Sequence, residues 1–425
     1  MGTRPRSGHG VPVTTAPRRV VETGMAIMLL SAPISITATQ AGLGLAVTGA
    51  LLGWREAGPL LRTPLDRPIL ALLGVTLVSA LASGAPGVSL RRFAGSWTVL
   101  ALYLVVGWLR DAARTERFLL LLLPPAVLFG AYGIVQHFTG VNLFGSGGAM
   151  HSLVLGERRV YFPRGGFSHY QTYANVFFVL FCLACGLAAA ASGRARALRL
   201  AVAAFLGLVV IFTFTRGIWL ALLAALAVLS WVFVRRATLV IAGAGALALA
   251  AVLLVPSSLR TRALSMADLG TNVERLLLWE TGWNMTRDRP ILGIGIGNYR
   301  AVQDTYVREE VPLTMTRTHS HNIWLQAAVE RGVLGMLALL WLAVSLFAAA
   351  GRALCVPATP DGRGRALAAG GLAAVAGFFI DGMVQNNFGD SQAALLFWIV
   401  AGVIVVCGRD AAAAGAVTAP AESPA

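Results

Sequence analysis

The chain has 425 residues, 57% of them hydrophobic and 12% charged, and a formal net charge of +15. A soluble core of this length cannot bury that much apolar side chain, so composition excludes an ordinary soluble domain and points to a protein that crosses a membrane many times. All 34 basic residues are arginine, set in short clusters between apolar runs. That placement reads as a topology signal and argues against a nucleic-acid partner.

Residues 1–24 are polar, carry Arg4, Arg6, Arg18 and Arg19, and are expected to form a cytoplasmic tail. Apolar runs follow at 25–37 and 41–54; the first is expected to be an uncleaved anchor, because so many spans come after it. Arg55, Arg62 and Arg67 mark an inner loop, and runs at 69–84 and 96–109 lead to Arg110, Arg114 and Arg117, again inside. Runs at 118–138 and 167–191 flank a polar outer loop, with Arg194, Arg196 and Arg199 behind them on the inside. Next come runs at 200–215 and 218–234, the pair Arg235 and Arg236, and a run at 237–255. A long polar stretch, 256–320, precedes runs at 323–350, 367–385 and 391–407 and a polar tail, 408–425. The expected fold is an all-α polytopic helical bundle of about twelve transmembrane helices with both termini in the cytoplasm. Nine helices fall within 25–255 and three within 321–407, separated by one large outer loop, 256–320.

Two outer loops are basic against the topological bias, one with Arg91 and Arg92 and one with Arg158, Arg159 and Arg164. The long loop adds Arg260, Arg262, Arg275, Arg287, Arg289, Arg300, Arg308 and Arg317. Forked guanidinium donors suit a diphosphate, although solvated loop charge accounts for any single one of them. Histidine is skewed the same way: His137, His151, His169, His319 and His321 map outside, and His9 alone maps inside. Cys182 and Cys185 lie within an apolar run and read as packing residues, with no disulfide framework expected.

Three motifs carry candidate chemistry. Arg216-Gly217 interrupts two apolar runs; an arginine left at bilayer depth costs about 2.5–3.5 kcal/mol, so it either snorkels to the surface or meets an anion. Arg275, Trp279 and Trp283 recur every four residues, which places a cation and two indoles on one helical face, either at the lipid interface or as an ordinary packed surface. Pro290 ends that helix, and Gly293, Gly295 and Gly297 predict a tight turn near the substrate. The third motif is His321-Asn322, nine residues, then Gly332 and Gly335. It sets an imidazole where a polar loop re-enters the membrane, able to take a proton from a hydroxyl near neutral pH. Asn322, Gln326 and Glu330 at steps of four are expected to line a groove, and the two glycines to allow close helix packing.

The pieces RGGFSHYQTYAN, TRGIWL, R-x3-W with P-x2-G-x-G-x-G-N, HN-x9-G-x2-G and GDSQAALLFWIVAG occur in an order that resembles the O-antigen ligase and polymerase family, over about residues 70 to 405. The resemblance implies an inner-membrane glycosyltransferase of the GT-C type. Such enzymes move a glycan from an undecaprenyl-diphosphate donor to an acceptor, such as lipid A-core, on the periplasmic side. It also implies catalytic roles for Arg216, Arg275 and His321, with substrate bound by Arg164, His169, Arg300, His319, Asn322 and Gln326. His169 departs from the asparagine or proline often found there. No metal or other cofactor is expected, since arginine can neutralise the leaving diphosphate. The histidine motif follows the ligase form, with the polymerase as the alternative. A transporter is disfavoured: Asp381 is the main intramembrane acid and no internal repeat is evident.

Overall fold

A computed structural model describes residues 15–53, 62–144, 149–155, 158–233, 273–307, 318–355 and 362–418. The described residues are almost entirely helical. In chain order they give α1 (Thr15–Ser31), α2 (Ile36–Leu52), α3 (Asp66–Leu81), α4 (Pro86–Ala94), α5 (Leu100–Trp108), α6 (Ala112–Leu119) and α7 (Leu123–Thr139). After these come a two-stranded antiparallel hairpin, β1 (Ser152–Leu155) and β2 (Arg158–Tyr161), then α8 (Tyr170–Ala189), α9 (Gly193–Phe212) and α10 (Arg216–Phe233). The rest is α11 (Val273–Asp288), α12 (Ile323–Cys355), α13 (Arg363–Gly382) and α14 (Ser391–Thr418).

The protein is thus an all-α polytopic membrane bundle. Seven helical stretches among the described residues are long and apolar enough to cross a membrane: α6 with α7, then α8, α9, α10, α12, α13 and the first part of α14. The expected runs at 25–37, 41–54, 69–84 and 96–109 correspond to shorter helices, and the run at 237–255 lies outside the described residues, as does much of the expected loop 256–320. Helices extend past two expected boundaries. Helix α1 begins at Thr15, inside the stretch read as a tail, and α14 runs to Thr418. The hairpin was not anticipated; only four residues per strand carry it.

The centre of the bundle is α8, α13 and the first part of α14, Ser391–Arg409, which are largely buried, while α9 and α10 keep much of their apolar surface outward, as lipid-facing helices do. Small residues let the central pair meet: a Cβ on Gly186 of α8 would lie 2.9 Å from the Ala366 carbonyl of α13. At one end of the bundle Glu116 takes ion pairs from Arg199 and Arg363, which ties α6 to α9 and α13. The opposite end gathers the close of α7, α9 and α13 and the starts of α8, α10, α12 and α14.

Helix α12 is broken at Gly332, six residues after Gln326. Gly332 has φ 68° and ψ −174°, a conformation that interrupts the helical ladder and that glycine alone adopts without strain. The freed backbone groups are satisfied by the glycine-rich turn that follows α11. Ile294 N donates to Val329 O (2.9 Å), Gly295 N to Glu330 O (3.0 Å), and Val333 N to Pro290 O (2.8 Å). Gly297 N adds a bond to the Glu330 carboxylate (3.0 Å), and the Ser79 hydroxyl of α3 lies within 2.7 Å of Glu330 O. Two motifs that the sequence presents separately are therefore the halves of one joint. Gly335 makes room for the Arg331 side chain, whose Nε reaches Thr76 Oγ1 of α3 at 2.9 Å, rather than for a neighbouring helix.

Candidate active site

His321 stands in the short turn that feeds α12. Asn322 caps the helix, its Oδ1 accepting from Trp324 N (2.9 Å) and Leu325 N (3.1 Å). Gln326 turns back on the loop, and its Oε1 accepts from Ser320 N (2.8 Å) and Ser320 Oγ (3.0 Å). These bonds leave His321 with φ 50°, in the left-handed region, a strain of about 1–3 kcal/mol for a residue other than glycine. The polar stripe Asn322, Gln326 and Glu330 thus fastens loops instead of lining a groove. His321 is buried, and its Nδ1 lies 3.1 Å from Gln385 Oε1, in the turn after α13. Gly382 presses that turn onto α12, where a Cβ would come within 2.6 Å of Ile323 Cδ1.

Burial holds the His321 pKa below its usual 6.5; the Gln385 bond opposes this, while the charges of Arg275 and His169 add to it. The His319 ring packs against it at 4.1 Å between centroids. Its pKa falls from 6.5 to about 3 through burial first and then the nearby His321 and His169. Both imidazoles are neutral at physiological pH.

Arg275 lies in the first turn of α11, which packs Leu278, Gly282 and Met285 inward, with Gly282 against Leu325 and Val329 of α12. Its Nε is buried without a hydrogen bond, and among the described residues its guanidinium closes no ion pair. Burial pulls its pKa below the usual value, while the fields of Tyr170 and Asp381 work the other way. Trp279, one turn on, also buries its Nε1, while Trp283 is 58% exposed. The expected single face of cation and indoles is therefore split, with Arg275 and Trp279 partly inward and Trp283 outward.

Arg216 opens α10. It follows a turn in which Phe214 has φ 53°, the only other non-glycine residue besides His321 with positive φ among the described residues. The Phe214 ring rests on His137 at 4.8 Å, and His137 Nδ1 is fixed by Tyr161 O (2.8 Å). Gly217 packs so tightly on α13 that a Cβ would lie 2.2 Å from Asp381 Oδ1. Asp381 is fully buried, beside the amides of Asn175 and Asn387. Those amides donate instead to Gln171 O (3.1 Å) and Phe378 O (2.9 Å), and no hydrogen bond of regular geometry reaches either carboxylate oxygen. Sequence reading set Asp381 aside as an intramembrane acid; its position beside Gly217 and within the field of Arg275 makes it part of this site.

His169 caps α8, its Nδ1 accepting from Gln171 N (3.2 Å), and stacks on Tyr170 at 4.6 Å. Burial, then His151, lowers its pKa, and Asp390 opposes them. The structure thus groups His321, His319, His169 and Arg275, and brings in Arg216 through the Gly217–Asp381 contact. Asn322 and Gln326 hold the loop. Arg164 is buried with its backbone N on Gln136 Oε1 (3.1 Å), and Arg300 is exposed on the helical turn Tyr299–Val302, where no described contact joins it to the histidine cluster.

The family model described as O-antigen ligase matches residues 200–340, from α9 into α12, and so takes in Arg216, Arg275 and His321. This bears out the family resemblance over that stretch; the segments 164–175 and 389–402 lie outside it. No curated protein matches the chain.

Proposed function

With residues 200–340 matching the O-antigen ligase family, we propose that the chain is an O-antigen ligase-like glycosyltransferase of the bacterial inner membrane, acting on its periplasmic face. It moves a glycan from undecaprenyl diphosphate to a hydroxyl of lipid A-core or a similar acceptor. The observation that carries this reading is the half-buried Arg275 guanidinium, whose Nε has no hydrogen bond and which closes no ion pair among the described residues, set beside a neutral imidazole. A guanidinium drawn partly out of water gains from a close anion, and a diphosphate supplies one.

In the reaction, the acceptor hydroxyl attacks the anomeric carbon from the face opposite the diphosphate, so the configuration inverts. His321 takes the hydroxyl proton as the new C–O bond forms. The bond between the anomeric carbon and the phosphate oxygen breaks, and the electron pair leaves with the diphosphate, whose growing charge Arg275 and Arg216 offset without a metal ion. Asp381 steadies the start of α10 and the Arg275 cation. His319 and His169 adjoin the base, and with Arg164 and Arg300 are proposed to bind substrate; Asn322 and Gln326 act by holding His321 in place.

The test uses purified protein in lipid nanodiscs. Donor alone should give no longer chains, and adding lipid A-core should yield the ligated product with chelator present. Longer lipid-linked chains from donor alone would make it a polymerase instead, and activity lost to chelator and restored by magnesium would refute the metal-free mechanism.

A further inference from the structure

We propose that Gln385 is a positioning residue that fixes His321 in the tautomer carrying its proton on Nδ1, so that Nε2 faces the reacting hydroxyl as an acceptor. The inference rests on the reading of His321 as the base. An amide oxygen only accepts, so the 3.1 Å contact between Gln385 Oε1 and His321 Nδ1 requires hydrogen on Nδ1. In a neutral ring that leaves the lone pair on Nε2, which meets no protein partner among the described residues and is not sealed inside the protein. The contact joins residues 64 apart in sequence, and it is the only hydrogen bond of the buried Gln385 side chain among the described residues.

The backbone brings Gln385 there by design of the turn. Met383 N donates to Ile380 O (3.1 Å) and Val384 N to Asp381 O (2.9 Å), folding the chain back at the end of α13, and Gly382 allows the approach to Ile323. An amide differs from the carboxylate that often backs a catalytic histidine: it orients the ring without adding a negative charge that would raise its basicity. The titratable and charged groups facing His321 agree with a ring that stays neutral. His319 lies on its own loop, His169 at the start of α8 and Arg275 on α11, none of them anionic, while Asp381 of α13 acts on Arg275 and Asp390, before α14, acts on His169.

The tautomer is read directly by NMR of protein labelled with ¹⁵N-histidine in nanodiscs, the His321 signals being those lost in His321→Gln. The wild-type ring should show a protonated Nδ1 and a bare Nε2, and Gln385→Leu should shift the population toward Nε2–H. A wild-type ring protonated on Nε2, or a tautomer unmoved in Gln385→Leu, would overturn the proposal whatever the activity. In transfer assays Gln385→Leu should lower kcat by about tenfold to a hundredfold with KM little changed. Gln385→Glu keeps the acceptor but adds charge, so the acid limb of its pH profile should move up by about one unit or more; a profile that coincides with wild type would count against the proposal. Full transfer by His321→Ala would refute the base reading separately, with the NMR result still deciding the tautomer.

Discussion

At the scale of single residues, the site is defined by what its groups lack. Arg275 is a half-buried cation that closes no ion pair among the described residues, and His321 is an imidazole kept neutral by burial. Replacing His321, Arg275 or Arg216 by alanine should leave the protein folded in the membrane and cut transfer by on the order of a hundredfold or more, measured as ligated product per unit of purified enzyme. Near-normal transfer by His321→Ala would remove it from the mechanism. A pH prediction follows from His319, whose folded pKa of about 3 lies below the unfolded 6.5. Above pH 6.5 both states hold it neutral and no stability is lost; as pH falls from 6.5 toward 3 the unfolded chain alone takes the proton, so stability declines. The melting temperature in detergent should therefore drop between pH 7 and pH 5, and His319→Gln should shrink that drop; an equal drop in the variant would show that another group is responsible. His321 stood out in the sequence at a boundary between polar and apolar chain, and Arg275 through its four-residue spacing with Trp279 and Trp283. Gln385 and Asp381 were not, since no spacing along the chain reveals which turn will fold back onto which helix.

At the scale of elements, the joint between the 290–297 turn and the break in α12 decides how the site is held. A Cβ at Gly332 would lie 2.0 Å from Ile291 O, and the residue sits at φ 68°. Gly332→Ala should thus destabilise the protein by about 1–3 kcal/mol from backbone strain alone, with more from the clash, seen as a lower melting temperature in detergent. Unchanged stability would mean that the turn does not dock there. The sequence displayed both glycine motifs and the capping residue Asn322, and it correctly predicted a turn and a helix start. It did not display their pairing, because the hydrogen bonds that unite them come from backbone groups, which are alike at every residue. For the same reason Asn322 and Gln326 read as a groove-lining stripe, while the structure turns their side chains back onto the loop.

At the scale of the whole molecule, most of the bundle was written in the apolar runs, since a helix that crosses a bilayer needs a long apolar stretch and little else. What composition did not convey is which spans are central: α8 and α9 have similar hydropathy, yet α8 is enclosed and α9 faces outward. Arginine placement predicts that a reporter fused near residue 290 will be active only in the periplasm and one near residue 360 only in the cytoplasm; a cytoplasmic signal at 290 would invert the scheme. The break in α12 also bears on how the protein is made. A membrane helix whose ladder is interrupted has bare carbonyls and amides that hydrocarbon cannot satisfy. The groups that cover them, at Pro290, Ile294 and Gly295, precede α12 in the chain and leave the ribosome first. By the time α12 reaches the bilayer its missing partners have already been made, so synthesis in the N-to-C direction delivers the cover before the gap, and a circular permutant opened between 307 and 318 would have to insert the gap first.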